Sequence, residues 1–275
     1  TPLGDPAAWP RSLRTAVRIM LTSRQPMFVW WGEQLVNLYN DPYRVVLGGK
    51  HPDALGRPAQ DVWREIWDQV GPRAESALRK NEGTFDEALR LIMERNGYPE
   101  ETYFTFSYSP VPDDDGGTGG IFCANSDESR RIIGERRLRV LRETSSAGAG
   151  AHSVADAAAR STSALAAAGH DVPFALLYLP VDDGRSFRLA SASGVARGGA
   201  AAPERIDDDD DDDDAAPWAV GAVASAGETR IVELDERLRA GIPGGVWQRA
   251  AQQAAIVPIG GGEDGVAAVL VAGLN

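Results

Sequence analysis

Tyr103-Phe104-Thr105-Phe106-Ser107-Tyr108-Ser109-Pro110 is the stretch that decides the fold of the first half of this chain. Phe104, Phe106 and Tyr108 fall on one side of an extended strand and Thr105, Ser107 and Ser109 on the other, because successive strand side chains point to opposite faces. One face of this strand is therefore buried. Pro112 to Gly120, with three aspartates and four glycines, reads as a turn, and Ile121 to Ala124 returns as a neighbouring strand. Upstream, Phe85 to Glu94 favours alternation, with Phe85, Leu89, Leu91 and Met93 in phase, although a helix fits the same spacing. Met27 to Trp31 and Gln34 to Tyr39, joined at Gly32-Glu33, read as a hairpin and bring the count to five strands.

Helical patterns surround these strands. Leu13, Val17 and Leu21 recur every four residues between Trp9 and Leu21, with Pro10 near the start, where its missing N–H costs nothing. Asp61 is placed to cap a helix over Val62 to Val70, and another helix is expected over Arg73 to Lys80. Arg130 to Glu143 carries six arginines around an apolar seam that includes Leu138, Val140 and Leu141, the pattern of an exposed connector, with Ser145 to Gly150 expected to loosen it. A second unit begins at Val154 with an alanine-rich helix ending at Gly169. Phe174 to Leu179 and Phe187 to Ala192 form one hairpin through Asp182-Asp183-Gly184, and Ile256 to Ile259 and Val266 to Val271 another through Gly260 to Gly265. The expected class is α+β, with two domains that each carry a central antiparallel sheet and flanking helices and that are joined by a helix.

Composition narrows the function. The 275 residues carry a net charge of −12, of which eight charges sit in the run Asp207 to Asp214, leaving −4 elsewhere. Nucleic acid is thus not the expected partner. The single cysteine, Cys123, excludes an internal disulfide and a thiolate zinc cluster and suits a reducing compartment. The longest apolar stretch, Gly265 to Leu274, is about half of the roughly 20 residues a membrane helix needs, and no secretory segment opens the chain. A cytoplasmic setting without a membrane follows as the expectation. Thr1 in place of methionine, and Asn275 directly after an apolar run, lead to the expectation of a fragment cut at both ends.

Residues 27–125 resemble a PAS domain through Leu38-Tyr39-Asn40-Asp41, Gly71-Pro72 before the long helix, and Phe106-Ser107-Tyr108-Ser109-Pro110. Pro2-Leu3-Gly4, Trp9-Pro10-Arg11-Ser12-Leu13-Arg14 and Ile133-Gly134-Glu135-Arg136-Arg137-Leu138 resemble the amino-terminal sensory region of soluble bacterial hybrid histidine kinases. Residues 151–275 resemble a GAF domain through their order of helix and hairpins. The resemblance implies an amino-terminal helical segment (1–26), a PAS-like domain (27–125), a connector helix and linker (126–150) and a GAF-like domain (151–275, truncated at its C-terminus). It implies a sensory input module, homodimeric through its helices, placed ahead of a kinase core in the same polypeptide. No stretch here places a phosphoacceptor histidine in a paired-helix pattern or supplies a glycine-rich ATP lid, so this segment itself is not expected to be an enzyme.

Cys123 lies on a strand and outside the Asn-Cys-Arg-Phe motif that flavin-binding relatives use for a thiol adduct, so it reads as a small buried hydrophobe. The second unit has no cysteine to anchor a bilin. His51 sits in a glycine-rich connection and reads as a loop residue rather than a haem ligand, while His152 and His170 flank a helix. No cofactor and no metal are expected, with a flavin- or haem-bound sensor and a ligand-free dimerisation scaffold as the alternatives. Paired carboxylates at Glu100-Glu101, Asp113-Asp115 and Asp207-Asp214 fall in loops and suggest no acid–base chemistry; the last run reads as a self-repelling acidic loop. Gly119-Gly120 and Gly260 to Gly262 lack the following lysine of a phosphate loop. If a small molecule binds, the expected walls of its pocket are Asn40, Tyr43, Trp63, Trp67, Phe104 and Phe106, against the alternative that these aromatics merely fill a core.

Overall fold

The computed structural model describes residues 2–181, 186–207, 217–242, 244, 249–260 and 265–274. The chain forms two compact units, Thr1–Ile133 and Gly134–Asn275. The class is α+β, two antiparallel sheets with flanking helices.

In the first unit, α1 (Arg11–Thr22) precedes β1 (Met27–Trp31) and β2 (Val36–Tyr39). Short helices α2 (Arg44–Leu47) and α3 (Ala59–Val62) lead to α4 (Trp67–Lys80), followed by β3 (Thr84–Met93), β4 (Glu100–Pro112) and β5 (Thr118–Asp127). The sheet order is β2-β1-β5-β4-β3. Both faces are covered, which is why nearly every residue of β1 and β2 is buried rather than every second one. Phe28 and Trp30 join the large aromatic core beneath α4, whereas Val29, Trp31 and Leu38 face Leu13, Ala16 and Met20 of α1. Fully burying a side chain such as Leu13 is worth about 1.5–3 kcal/mol, so α1 is an integral layer of this unit. Two polar clasps hold it. The Asp114 carboxylate, at the β4–β5 turn, accepts from the Arg11 and Ser12 backbone N–H groups at 2.7 and 3.0 Å. At the other end the Asn40 amide donates to the carbonyls of Met20 and Gln25 at 2.9 and 2.8 Å.

Three expectations fail for identifiable reasons. Asp61 lies inside α3 rather than capping a helix over Val62 to Val70, and that span is broken by a 3-10 turn at Arg64–Ile66. Gly71-Pro72 does not precede the long helix but lies within α4. Gly71 is there because a Cβ at that position would collide with the Trp67 ring. Phe85 is not in phase with Leu91 and Met93: β3 carries a bulge between Asp86 and Leu89, with Ala88 at φ 49°, and the extra residue turns Phe85 out to solvent.

α5 (Ser129–Ala149) follows β5 after one residue and runs across the boundary between the units. It continues through Ser145 to Ala149, which therefore extend the helix rather than loosen it. In the second unit, α6 (Val154–Ala166), β6 (Ala175–Val181), β7 (Ser186–Ser193), β8 (Arg205–Asp207) and α7 (Val220–Ala226) come first. β9 (Arg230–Glu233), α8 (Glu236–Ala240), β10 (Gln253–Gly260) and β11 (Val266–Leu274) complete it. The sheet order is β8-β7-β6-β11-β10-β9. α6 covers one face through Ala158 against Leu177 and Ala268, and the other face packs Phe174, Leu176 and Tyr178 with Trp218, Val220 and Leu238. The expected turn at Asp182 to Gly184, the acidic run beyond Asp207 and most of the Gly260 to Gly265 connection lie outside the described residues.

Asp171, between α6 and β6, grips the connector. Its carboxylate accepts from Arg136 Nε at 2.8 Å and from Arg137 Nε at 3.1 Å. Leu138 and Leu141, 55% and 63% exposed, are left bare on α5.

Candidate functional site

The aromatic core of the first unit leaves a cavity of about 40 Å³ between the sheet and the helices. Of the six residues expected as its walls, Tyr43, Trp63, Phe104 and Phe106 line it. Trp67 does not; its ring is tilted against that of Trp30, centroids 5.8 Å apart, and lies close to Gly71. Asn40 does not either. Its oxygen accepts from Met27 N and Tyr43 N and its nitrogen is engaged with α1, so the whole amide is used in holding the N-terminal layer.

Sequence reasoning missed the rest of the wall. Phe28, Trp30 and Tyr108 bring three more rings, and Val46, Ile66, Val70, Leu91 and Met93 supply the aliphatic part. Cys123 and Asn125, which share one face of β5 with Ile121, add the polar part. Alternation along Ile121-Phe122-Cys123-Ala124-Asn125 was the available signal, since it aims the asparagine inward with the cysteine.

The three buried asparagines of this unit differ. Asn37 accepts from Trp30 Nε1 at 3.0 Å and donates to Ala54 O at 3.2 Å. Asn40 is engaged as described. Asn125, 8% exposed, makes no side-chain hydrogen bond through either amide atom among the described residues. Its polar neighbour is the Cys123 thiol, a weak donor and acceptor that cannot satisfy an amide, and whose sulfur faces the Ala124 carbonyl at 3.7 Å. An unpaired buried polar side chain costs about 1–3 kcal/mol.

The cavity wall resists ionisation. Burial pushes the Cys123 thiol well above its usual range, with the Asn125 side chain and the Ser107 backbone offsetting this only in part. Such a thiol is unreactive. Burial also raises the Tyr43 and Tyr108 hydroxyls well above the ordinary tyrosine value, with further contributions from Cys123. The site thus favours uncharged contents.

Ligand pockets for drug-sized molecules or cofactors occupy about 300–1,000 Å³, several-fold more than the volume left in this core as it is packed. His51 is held by Tyr39, whose hydroxyl lies 2.8 Å from Nδ1. Among the described residues no group of three or more His, Cys, Asp or Glu side chains is placed to hold a metal ion. None of their helices is long and apolar enough to cross a membrane.

No family model and no curated protein matches this chain. Solved structures do. A PAS domain from Colwellia psychrerythraea is 14% identical over 43% of this chain and 98% of its own, with a TM-score of 0.34. A GAF domain from a phosphoenolpyruvate-protein phosphotransferase of Coxiella burnetii is 16% identical over 51% and 78%, with a TM-score of 0.36. A sensory box sensor histidine kinase from Vibrio cholerae is 14% identical over 42% and 90%, with a TM-score of 0.30.

Proposed function

We infer that this chain is a signal-sensing input module of a cytoplasmic two-component sensor histidine kinase, with no catalytic role and no resident cofactor of its own. In this reading the first unit receives a small molecule and the connector relays its presence to an output domain. The observation that carries it is the position of Asn125: an unpaired amide on the cavity wall, four residues before the first residue of α5 on the same strand. The junction between them is stiff. Tyr103 O accepts from Glu128 N at 2.8 Å, Tyr103 N donates to Ser129 Oγ at 2.8 Å, and Asp127 Oδ1 accepts from Ser129 N at 2.9 Å. A shift of β5 at the cavity is therefore passed to the helix rather than absorbed in a loop.

Ligand binding biases such a helix only through its differential affinity for two arrangements, typically about 1–3 kcal/mol. Leu138 and Leu141, spaced as neighbouring seam positions and flanked by Arg137, Arg139 and Arg142, suit a homodimer contact kept weak by like charge. The scaffold alternative, with a core simply filled, leaves Asn125 unexplained.

Xenon, which enters small apolar cavities, tests the relay. Under xenon pressure the amides of Ser129 to Arg136 are expected to change their hydrogen-exchange rates together with those lining the cavity. A cavity response with α5 unchanged rejects the relay. Ultracentrifugation of the whole chain and of Leu141→Asp tests the dimer: concentration-dependent association is expected to be lost in the variant, and a wild-type monomer at high micromolar concentration rejects it.

A further inference from the structure

The cavity also specifies what kind of molecule it takes. We propose that it binds a compact, uncharged carboxamide-type ligand of about four non-hydrogen atoms, held by paired hydrogen bonds to the Asn125 side chain. This deepens the receiver reading of the first unit and rests on it.

Size sets the first limit. A cavity needs roughly 10–15 Å³ per water-sized group, so about 40 Å³ accepts about three to four such groups, and a six-membered ring would require the wall to move. Charge sets the second. The lining is dominated by aromatic and aliphatic side chains, and no Lys, Arg, Asp or Glu is among them, so an ion entering it would lose its hydration without a counter-charge.

Hydrogen-bond complementarity sets the third. The Asn125 amide offers an N–H donor and a C=O acceptor side by side, and both are unpaired and shielded from solvent. A molecule with only an acceptor, such as a ketone, or only apolar surface leaves one of them orphaned. An amide presents the matching donor and acceptor at the same spacing and satisfies both, while its alkyl end meets the apolar lining, with Phe106 beside Asn125 on the neighbouring strand and Val70 on the helix side. A site built to pair a polar group discriminates strongly against analogues that lack it, because its own groups are then left unpaired.

Acetamide and acetone test this, since they have the same number of non-hydrogen atoms and nearly the same shape but differ by the donor. Each is titrated into the whole chain while the Asn125 side-chain amide is followed by NMR and the melting temperature is recorded. Acetamide is expected to shift the Asn125 resonances saturably and to raise the melting temperature by about 2 °C at several times its Kd; acetone is expected to do neither. In Asn125→Leu the rise in melting temperature with acetamide is expected to disappear. The wild-type comparison stands even if that variant does not fold.

Equal responses to the two compounds, or an acetamide response that survives Asn125→Leu, overturn the proposal. So does finding that Asn125 is satisfied by buried water that acetamide does not displace. Xenon separates the two levels of inference: if xenon enters and moves α5 while acetamide behaves like acetone, the ligand class is wrong and the receiver reading stands. If xenon does not enter the cavity, both fall.

Discussion

The two units place similar sheets under different cores. In the first, the wall of the aromatic chamber carries an amide with no partner. In the second, Phe174, Phe187, Tyr178 and Trp218 pack among aliphatic side chains and the polar atoms of these rings are paired: Trp218 Nε1 donates to Ala201 O at 2.9 Å and Tyr178 Oη donates to Pro203 O at 3.0 Å, while on the other face of the sheet the Thr162 and Ser191 hydroxyls share a 2.6 Å bond. Burial alone therefore does not mark a receiver. Unspent hydrogen-bonding capacity beside free volume does, and that points to the first unit.

The largest expected effects test whether the cores are equally indispensable. Trp30→Ala and Trp218→Ala each remove a side chain no more than 1% exposed, and each is expected to cost about 3–5 kcal/mol in chemical denaturation. A loss under about 1 kcal/mol in either would show that its core repacks freely.

The next pair should have opposite signs. Asn125→Leu replaces an unpaired amide by apolar surface and is expected to stabilise by about 1–3 kcal/mol, whereas Thr162→Val strands the Ser191 hydroxyl and is expected to destabilise by a similar amount. The same sign in both would erase the contrast between the units. Asp171→Asn leaves Arg136 and Arg137 without their carboxylate and is expected to cost about 1–3 kcal/mol, seen as faster hydrogen exchange in the middle of α5.

The smallest effect separates two ways of holding a carboxylate. Asp114 is lowered chiefly by the Ser12 and Arg11 backbone N–H groups, and Glu204 chiefly by its hydrogen bond from Arg197. Both folded values lie below the unfolded ones, so each contribution is present above the ordinary carboxylate range and is lost as pH falls through the lowered value. Concentrated salt screens an exposed ion pair more than a backbone cap. NMR titrations in 1 M NaCl are therefore expected to move Glu204 back toward its ordinary value further than Asp114.

What the sequence reveals follows from how local the cause is. Phe104, Phe106 and Tyr108 declare their buried face because strand alternation is a two-residue rule, and all three are buried, although the place of Tyr108 on the cavity wall was not read from the sequence. Phe85 misleads because a bulge three residues further on reverses the phase, and no local residue type announces it. Pro72 misleads because a proline usually ends a helix, yet here the close approach of Trp67 to Gly71 sits beside it inside one. Asn40, expected as a pocket wall, instead finds its partners in the N-terminal segment, 15 and 20 residues earlier. The cavity was illegible for a further reason: an empty volume belongs to no residue and arises from how distant elements fall short of one another.

The layer formed by α1 has a practical corollary for anyone trimming this protein. A version starting at Met27 would bare Val29, Trp31 and Leu38 on a flat sheet surface and release the two groups, Asp114 and Asn40, that fasten the helix there. Such a shortened chain would self-associate through the stripped face, whatever the state of the intact one. Oligomeric state should accordingly be judged on molecules that retain their first 26 residues.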